Sequence, residues 1–407
     1  MNILYINHYA GSPDMGMEFR PYYFAKEWDG KNNNVRIVCA SFSHLRRINP
    51  SMKKDFQIKR VDGVDYQFVK TCKYKRNGIK RVLSIYQFVS KLKKHAKKIV
   101  REFKPDIVIC SSTYPFDTYA GRRIADLAKA KFVFEGHDLW PLTLIEIGGM
   151  SEKNPFIYKM KKAEQFAYQK SDIVVSLLPY SYEHMLENGL QSIDKFHHIS
   201  NGIALEDWNN PEPLPKEHEE VLNSLRKKGE FIVMFTGGHA LSNMLDTFLD
   251  CASITREEKI SYVLIGSGIE KDRLMLRKEN EKLDNVYFLP PINKKAIPTA
   301  LSKADALYIG ADAPLYRFGV SINKVYDYMM SGKPIIYGVA SKNNEVKDAN
   351  AGVFFDFKNI DSLKKAIDKL KNMSEKERKQ LGSNGQKWVK ANCDYKILAE
   401  KFLSLMK

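Results

Sequence analysis

Cysteine is scarce and scattered: Cys39, Cys72, Cys110, Cys251 and Cys393 are five among 407 residues, odd in number and never at C-x-x-C spacing. This excludes a disulfide framework and a structural zinc site, and it points to a reducing compartment. Long apolar runs are also missing, and none approaches the ~20 residues that span a bilayer. The opening MNILYINHYAGSP has no basic leader, and its apolar run stops at Asn7 and His8, so it reads as a first strand and not as a secretion signal. The expected location is the cytoplasm. Short internal repeats, low-complexity tracts, zinc fingers and RNA- or homeodomain-type signatures are absent too, so nucleic acid is not an expected partner.

What is present is an ordinary globular composition, 44% hydrophobic and 12% aromatic, with a net charge of +17 and a mean hydropathy of −0.40. Its length suggests two domains of roughly 150–200 residues. The charge is uneven. Residues 1–200 hold 33 Lys and Arg against 20 Asp and Glu, while residues 201–407 hold 32 against 28. Between Lys73 and Lys104 there are twelve basic residues and one acid, Glu102. Ile85, Phe88, Val89, Leu92, Ala96, Ile99, Val100 and Phe103 follow helical spacing there, which predicts a core-facing helix with a basic back. Such a back suits an anionic membrane surface or an anionic acceptor.

Short apolar or β-branched runs alternate with helical patterns along the whole chain, the signature of α/β folding into parallel sheets. The predicted strands are 3–7, 35–39, 66–69, 107–110, 131–135, 173–176 and 196–199 in the first half. In the second half they are 232–236, 261–265, 286–289, 306–309, 334–337 and 353–355. The proline-bearing stretch Asn209–Glu220, NNPEPLPKEHEE, is expected to be a hinge with neither strand nor settled helix. Tyr395, Leu398, Ala399, Phe402, Leu403 and Met406 predict an amphipathic terminal helix.

Ligands of an open parallel sheet bind beyond the carboxyl ends of its strands, so the loops there hold the candidates. In YRFGVSINKVYDYMMSGKP, Tyr316–Pro334, a helix start with free N–H groups near Ser321, Ile322 and Asn323 suits a diphosphate. Lys324 in its first turn opposes the helix dipole unless an anion lies there, and Asp327 follows on the same side, placed to accept from ribose hydroxyls. Arg317 is a second candidate cation. Gly237 and Gly238 follow one strand and Gly266-Ser267-Gly268 the next, although Lys271 stands where a dinucleotide fingerprint has its third glycine. In the first half Gly11, Gly16, Glu18 and Arg20 follow strand one. His137 and Asp138 follow the strand of FVFEGHD, whereas the other histidines carry no such context.

Together the opening strand and glycine turn, EGHDLWP, ISNGI, VLIGSG, NVYFLPP, SKADALYIG and SINKVYDYMMSGKPII resemble, in order and spacing, a GT-B glycosyltransferase of family 4, of the kind that assembles bacterial surface polysaccharides. The resemblance implies two Rossmann-like parallel-sheet domains facing across a cleft. These would be an acceptor-binding domain at 1–203, a nucleotide-sugar-binding domain at 204–390, and a terminal helix at 391–407 crossing back to the first. It further implies a retaining, metal-independent transfer from a nucleotide-diphosphate sugar, UDP by default, to a glycan or polyprenyl-linked acceptor in capsule or O-antigen synthesis. No cofactor or metal is expected, and the location becomes cytoplasmic with peripheral contact to the inner face of the membrane. His137 resembles the family histidine at the donor sugar, Lys324 and Arg317 would steady the leaving diphosphate, and Asp327 resembles the second acid of the E-x7-E motif. Two departures stand out: the first acid of that motif falls on Gly319, and the basic residues usual after Gly238 are replaced by HALSNML. A nucleotide-sugar 2-epimerase, or a non-catalytic nucleotide-sugar-binding subunit of a membrane assembly, is the alternative.

Overall fold

The computed structural model describes residues 1–30, 32–75 and 78–407. The chain forms two compact units, one of Met1–Asn201, Phe318–Ser321 and Tyr395–Lys407, the other of Gly202–Arg317 and Ile322–Asp394. In the first, eight strands build one sheet: β1 (Asn2–Ile6), β2 (Asn34–Ala40), β3 (Gln57–Val61), β4 (Val64–Val69), β5 (Ile107–Cys110), β6 (Lys131–Gly136), β7 (Ile173–Ser176) and β8 (Phe196–His198). Their order is β3-β4-β2-β1-β5-β6-β7-β8, parallel throughout except that β3 runs antiparallel to β4. Both faces are covered, which is why IVIC of β5 and IVVS of β7 are continuous buried runs without alternation. Strand order reverses at β1, which pairs with β2 on one side and β5 on the other, and such a reversal opens a crevice at the carboxyl ends.

The second unit has six strands: β9 (Phe231–Thr236), β10 (Ile260–Ile265), β11 (Val286–Leu289), β12 (Ala306–Ala311), β13 (Ile335–Val339) and β14 (Gly352–Phe354). Their order is β11-β10-β9-β12-β13-β14, all parallel, and here the reversal falls between β9 and β12.

The helix Ile79–Phe103 buries Ile85, Phe88, Val89, Leu92, Ala96, Ile99 and Phe103, the expected stripe without Val100, and ends where Lys104 turns left-handed at φ 50°. Arg76 and Asn77, part of the basic run, lie outside the described residues. The terminal helix Tyr395–Met406 belongs to the first unit and packs on the helix Arg20–Trp28. Trp28 Nε1 donates to the Ala399 carbonyl at 2.9 Å, Tyr395 stacks on Tyr23 at 4.6 Å, and Phe402 meets Trp28 and Phe24 edge-on at 5.2 and 5.5 Å.

Two expectations are corrected. Residues 209–220 are not wholly irregular: a helix, Lys216–Lys227, begins directly after Pro215, which fits a helix start, and it buries His218, Leu222 and Leu225. β3 was not foreseen. No helix among the described residues is long and apolar enough to cross a membrane.

Phe402→Ala removes a fully buried ring from the aromatic cluster under the terminal helix. A loss of about 3 kcal/mol is expected in urea unfolding followed by tryptophan fluorescence; an unchanged midpoint would contradict this packing.

Candidate functional site

In the second unit the chemistry gathers at the reversal beside β9. The loop after β9 brings Gly237 and Gly238 to the surface, and at Gly238 an added Cβ would meet only open space. Gly237 has φ 133° and sits close under the next loop, for a Cβ on Gly266 would overlap the Gly237 carbonyl. Against this loop lies Lys324, in the first turn of the helix Asn323–Met330. That helix starts at Ile322 with no capping side chain and no acid in its first turn, so its N–H groups keep their partial positive charge.

The Lys324 ammonium donates to Asn243 Oδ1 at 2.6 Å and lies over the Phe235 ring at 4.2 Å, and among the described residues no carboxylate pairs with it. Burial without a counter-charge lowers its pKa to about 7. Asn243 in turn donates to the Gly238 carbonyl at 2.8 Å, so one side chain fixes both the glycine loop and the ammonium. His239 is fully buried between Phe235 and Phe288, and burial, with Lys271 and Lys324 nearby, depresses its pKa to about 4 and keeps it neutral.

Asp327 does not share a partner with Lys324. Both its oxygens accept from Lys294 at 2.6 Å, so the expectation that Lys324 and Asp327 act side by side is corrected to two divergent contacts. Arg317 is exposed and donates to the Pro314 carbonyl at 2.6 Å. Asn323 is exposed and Ile322 half-buried. Ser321 belongs to the first unit, where Asn201 N donates to its hydroxyl at 2.7 Å and Asn201 Nδ2 to its carbonyl at 3.0 Å. Gly319 has φ 92°, a conformation an acidic residue would adopt only under strain, which is a backbone reason for the missing first acid.

In the first unit a charged network lies at the carboxyl ends of β1, β5 and β6. Glu135, fully buried near the end of β6, accepts from Arg20 Nε at 3.0 Å, Tyr5 OH at 2.5 Å and Ser111 Oγ at 2.6 Å. Burial opposes its charge, but Arg20 and His137 hold its carboxyl well below the usual range. His137 Nε2 is 2.8 Å from Ser111 Oγ and 3.4 Å from Glu135, and Nδ1 is 3.6 Å from Glu18. Desolvation would lower the imidazole's pKa, but hydrogen bonds and charge from Glu135 and Glu18 outweigh it and raise the pKa to about 9. His137 is therefore a buried cation at neutral pH.

Three first-half candidates turn out to shape this network from within. Arg20 is 3% exposed, and its remaining nitrogens donate to the Ser200 and Ile199 carbonyls at 2.5 and 2.9 Å, so it positions Glu135 and is corrected from a substrate contact. Gly11 and Gly16 are buried: a Cβ on Gly11 would overlap the Gly16 carbonyl, and Gly16 sits at φ 104°. They fold the loop that presents Glu18, and the Gly11 N–H donates to the Glu18 carbonyl at 2.7 Å. Asp138, after His137, is exposed. Sequence reading passed over Glu135, Ser111, Asn243 and Lys294. An acid inside the otherwise apolar strand KFVFEG was a legible signal for Glu135; nothing marked Lys294.

Comparison with known proteins now gives the class. A family model described as Glycosyltransferase Family 4 matches residues 15–207, and one described as Glycosyl transferases group 1 matches residues 217–388. The chain belongs to the family 4 glycosyltransferases. Sucrose-phosphate synthase from Thermosynechococcus elongatus is similar over 99% of this chain and 98% of its own, with a TM-score of 0.74 and 15% identity. Anabaena HepE, solved in complex with UDP and glucose, is similar over 100% and 99%, at 0.67 and 14%. WaaG, a glycosyltransferase involved in lipopolysaccharide biosynthesis, is similar over 100% of both chains, at 0.67 and 13%. At these identities the likeness shows the fold, the α/β GT-B fold with two parallel-sheet domains. Among curated proteins nothing matches.

Because the folded pKa of His137, about 9, lies above its ordinary 6.5, the stability its proton contributes is complete below pH 6.5 and is lost as pH rises through about 9. A histidine NMR titration should show His137 doubly protonated at pH 7.5, with Glu18→Gln lowering its midpoint. A midpoint at or below 6.5 in the unaltered protein would contradict the network.

Proposed function

We propose that the chain moves a sugar from a nucleotide-diphosphate donor, a UDP-sugar, to a glycan or lipid-linked acceptor in capsule or O-antigen synthesis, with retention and without a metal ion. The observation that carries this reading is Lys324: a partly buried ammonium with no acid beside it among the described residues, in the first turn of an uncapped helix, against two surface glycines. A diphosphate supplies the missing negative charge and takes the free N–H groups of Ile322 and Asn323. That UDP and glucose occupy the HepE structure supports the choice of donor, and the involvement of WaaG in lipopolysaccharide biosynthesis supports the choice of pathway.

In this reading the bond between the anomeric carbon and the phosphate oxygen breaks as negative charge builds on the diphosphate, where Lys324 and the helix start stabilise it. A phosphate oxygen takes the acceptor hydroxyl's proton as the acceptor oxygen bonds to the same face of the sugar, so no protein base is required. Asp327 receives the ribose hydroxyls, with Lys294 orienting its carboxylate. His137 is assigned to the donor sugar, as the family resemblance implies. Arg317 and the Gly237, Gly238 and Gly266 loops complete the donor contacts, and peripheral attachment to the inner face of the membrane brings the acceptor within reach.

UDP release from UDP-sugars, measured with and without a lipid-linked acceptor, tests the proposal. Release should require the acceptor, and Lys324→Ala should lower it by about 10²–10³-fold, the scale of losing one oxyanion donor. Donor conversion without acceptor would instead indicate an epimerase, and no turnover with intact UDP binding a binding subunit. An unchanged rate in Lys324→Ala would overturn the assignment.

A further inference from the structure

The helix Ile79–Phe103 carries two apolar faces, and the core of the first unit accounts for only one of them. In the first two turns Ile79, Val82, Leu83 and Tyr86 are 88, 40, 44 and 68% exposed. Their spacing of i, i+3, i+4 and i+7 places them along one side of the helix, away from Ile85, Phe88 and Leu92. Further along, the same spacing continues through Ser90, Lys94, Lys97 and Arg101, so that side passes from apolar to basic. Lys73, Lys75 and Lys80 are exposed beside the apolar end, and among the described residues no carboxylate pairs with any of these six cations. A single exposed leucine is ordinary; four contiguous apolar side chains framed by unpaired cations mark an interaction surface.

The start of this helix is unsuited to open water in a second respect. Gly78 offers no capping side chain, the first turn has no acid, and Lys80 and Arg81 add positive charge to the positive end of the helix dipole. An anionic surface relieves that repulsion. The same turn also stands at the ligand edge of the sheet. Arg81 Nε donates to Tyr9 OH at 3.2 Å, and its guanidinium lies 5.4 Å from the Tyr9 ring and 5.9 Å from the Trp140 ring. Tyr9 follows β1 and Trp140 follows β6, at the carboxyl ends where ligands of such sheets bind.

We propose that the Ile79–Tyr86 face seats in the headgroup and outer acyl layer of an anionic lipid bilayer, so that the first unit meets its acceptor at the membrane surface. The occupant is a bilayer because the apolar quartet offers shallow insertion while the six cations match a surface of lipid phosphates. The acceptor part of this inference rests on the proposed transfer to a lipid-linked acceptor, whereas the docking itself does not need it.

Co-sedimentation of the full chain with vesicles of phosphatidylglycerol or of phosphatidylcholine tests the docking. Binding is expected to phosphatidylglycerol, weakening with salt. Ile79→Asp with Leu83→Asp should lower partitioning about ten-fold or more, and Lys94→Glu with Lys97→Glu should lower it comparably and flatten the salt dependence. All four positions are exposed, so circular dichroism and UDP binding should match the unaltered chain. Docking is overturned if the unaltered chain stays in the supernatant, or if the Ile79→Asp, Leu83→Asp variant sediments equally well. It is also overturned if that variant instead dissociates an oligomer in sedimentation velocity, because a second copy would then cover the face. Vesicle binding without UDP binding would sink the donor reading and leave the docking intact.

Discussion

An ammonium group held among protein atoms, with no carboxylate beside it among the described residues, is the constraint on which the second unit's proposed chemistry depends. Lys324 could have been given an acid; Asp327 is three residues away on the same helix, yet it turns to Lys294. The folded pKa of about 7 lies below the ordinary 10.5. Between those values the unfolded chain holds a proton that the folded chain has released, so stability rises with pH across that window, and below pH 7 the full penalty of the buried charge applies. A site that destabilises its own fold in the empty state recovers the loss when an anion arrives. In the proposed reading the surface glycines Gly237 and Gly238 leave room for a negative group and the uncapped helix points N–H groups at it, while Asn243 ties the ammonium to the glycine loop.

The first unit solves the opposite problem. In its network the charges are already matched, Arg20 against Glu135 and His137 between Glu135 and Glu18. Buried pairs add little net stability, but removing one partner is costly because the other is left uncompensated, typically by about 3–5 kcal/mol. The network is therefore best understood as holding one imidazolium in one orientation at the ends of β1, β5 and β6. The terminal helix, tied in by Trp28 and by the rings of Tyr23, Phe24 and Phe402, stiffens the helix that begins with Arg20.

Sheet strands were readable wherever burial on both faces made a continuous apolar run, and thirteen of the fourteen strands among the described residues overlap a predicted one. β3 escaped because QIKRV alternates between half-buried and exposed residues at a sheet edge and has no apolar run. Its turn was nonetheless written in Asp62-Gly63, with φ 47° and 84°, the two-residue hairpin that requires positive φ at both positions. Of the site, His137 could be named because it follows a strand next to glycine, and Lys324 because it opens a helix. Glu18 and Asp327 were visible as residues, but their partners were not, since Lys294 and Asp327 are separated by 33 positions and only the fold joins them. Arg20 was misassigned because a sequence shows a charge and not its burial. Gly319 was read as a lost acid, whereas its φ of 92° identifies a backbone requirement.

Calorimetry of UDP binding at pH 8 in buffers of different ionisation enthalpy tests the central claim most directly. With a free-state pKa of about 7, most of the Lys324 side chains are neutral at that pH, and a bound diphosphate raises the pKa. Binding should therefore take up most of one proton, the uptake should vanish in Lys324→Met, and affinity should fall as pH rises above 7. Binding with no proton uptake, or with the same uptake in Lys324→Met, would contradict the account.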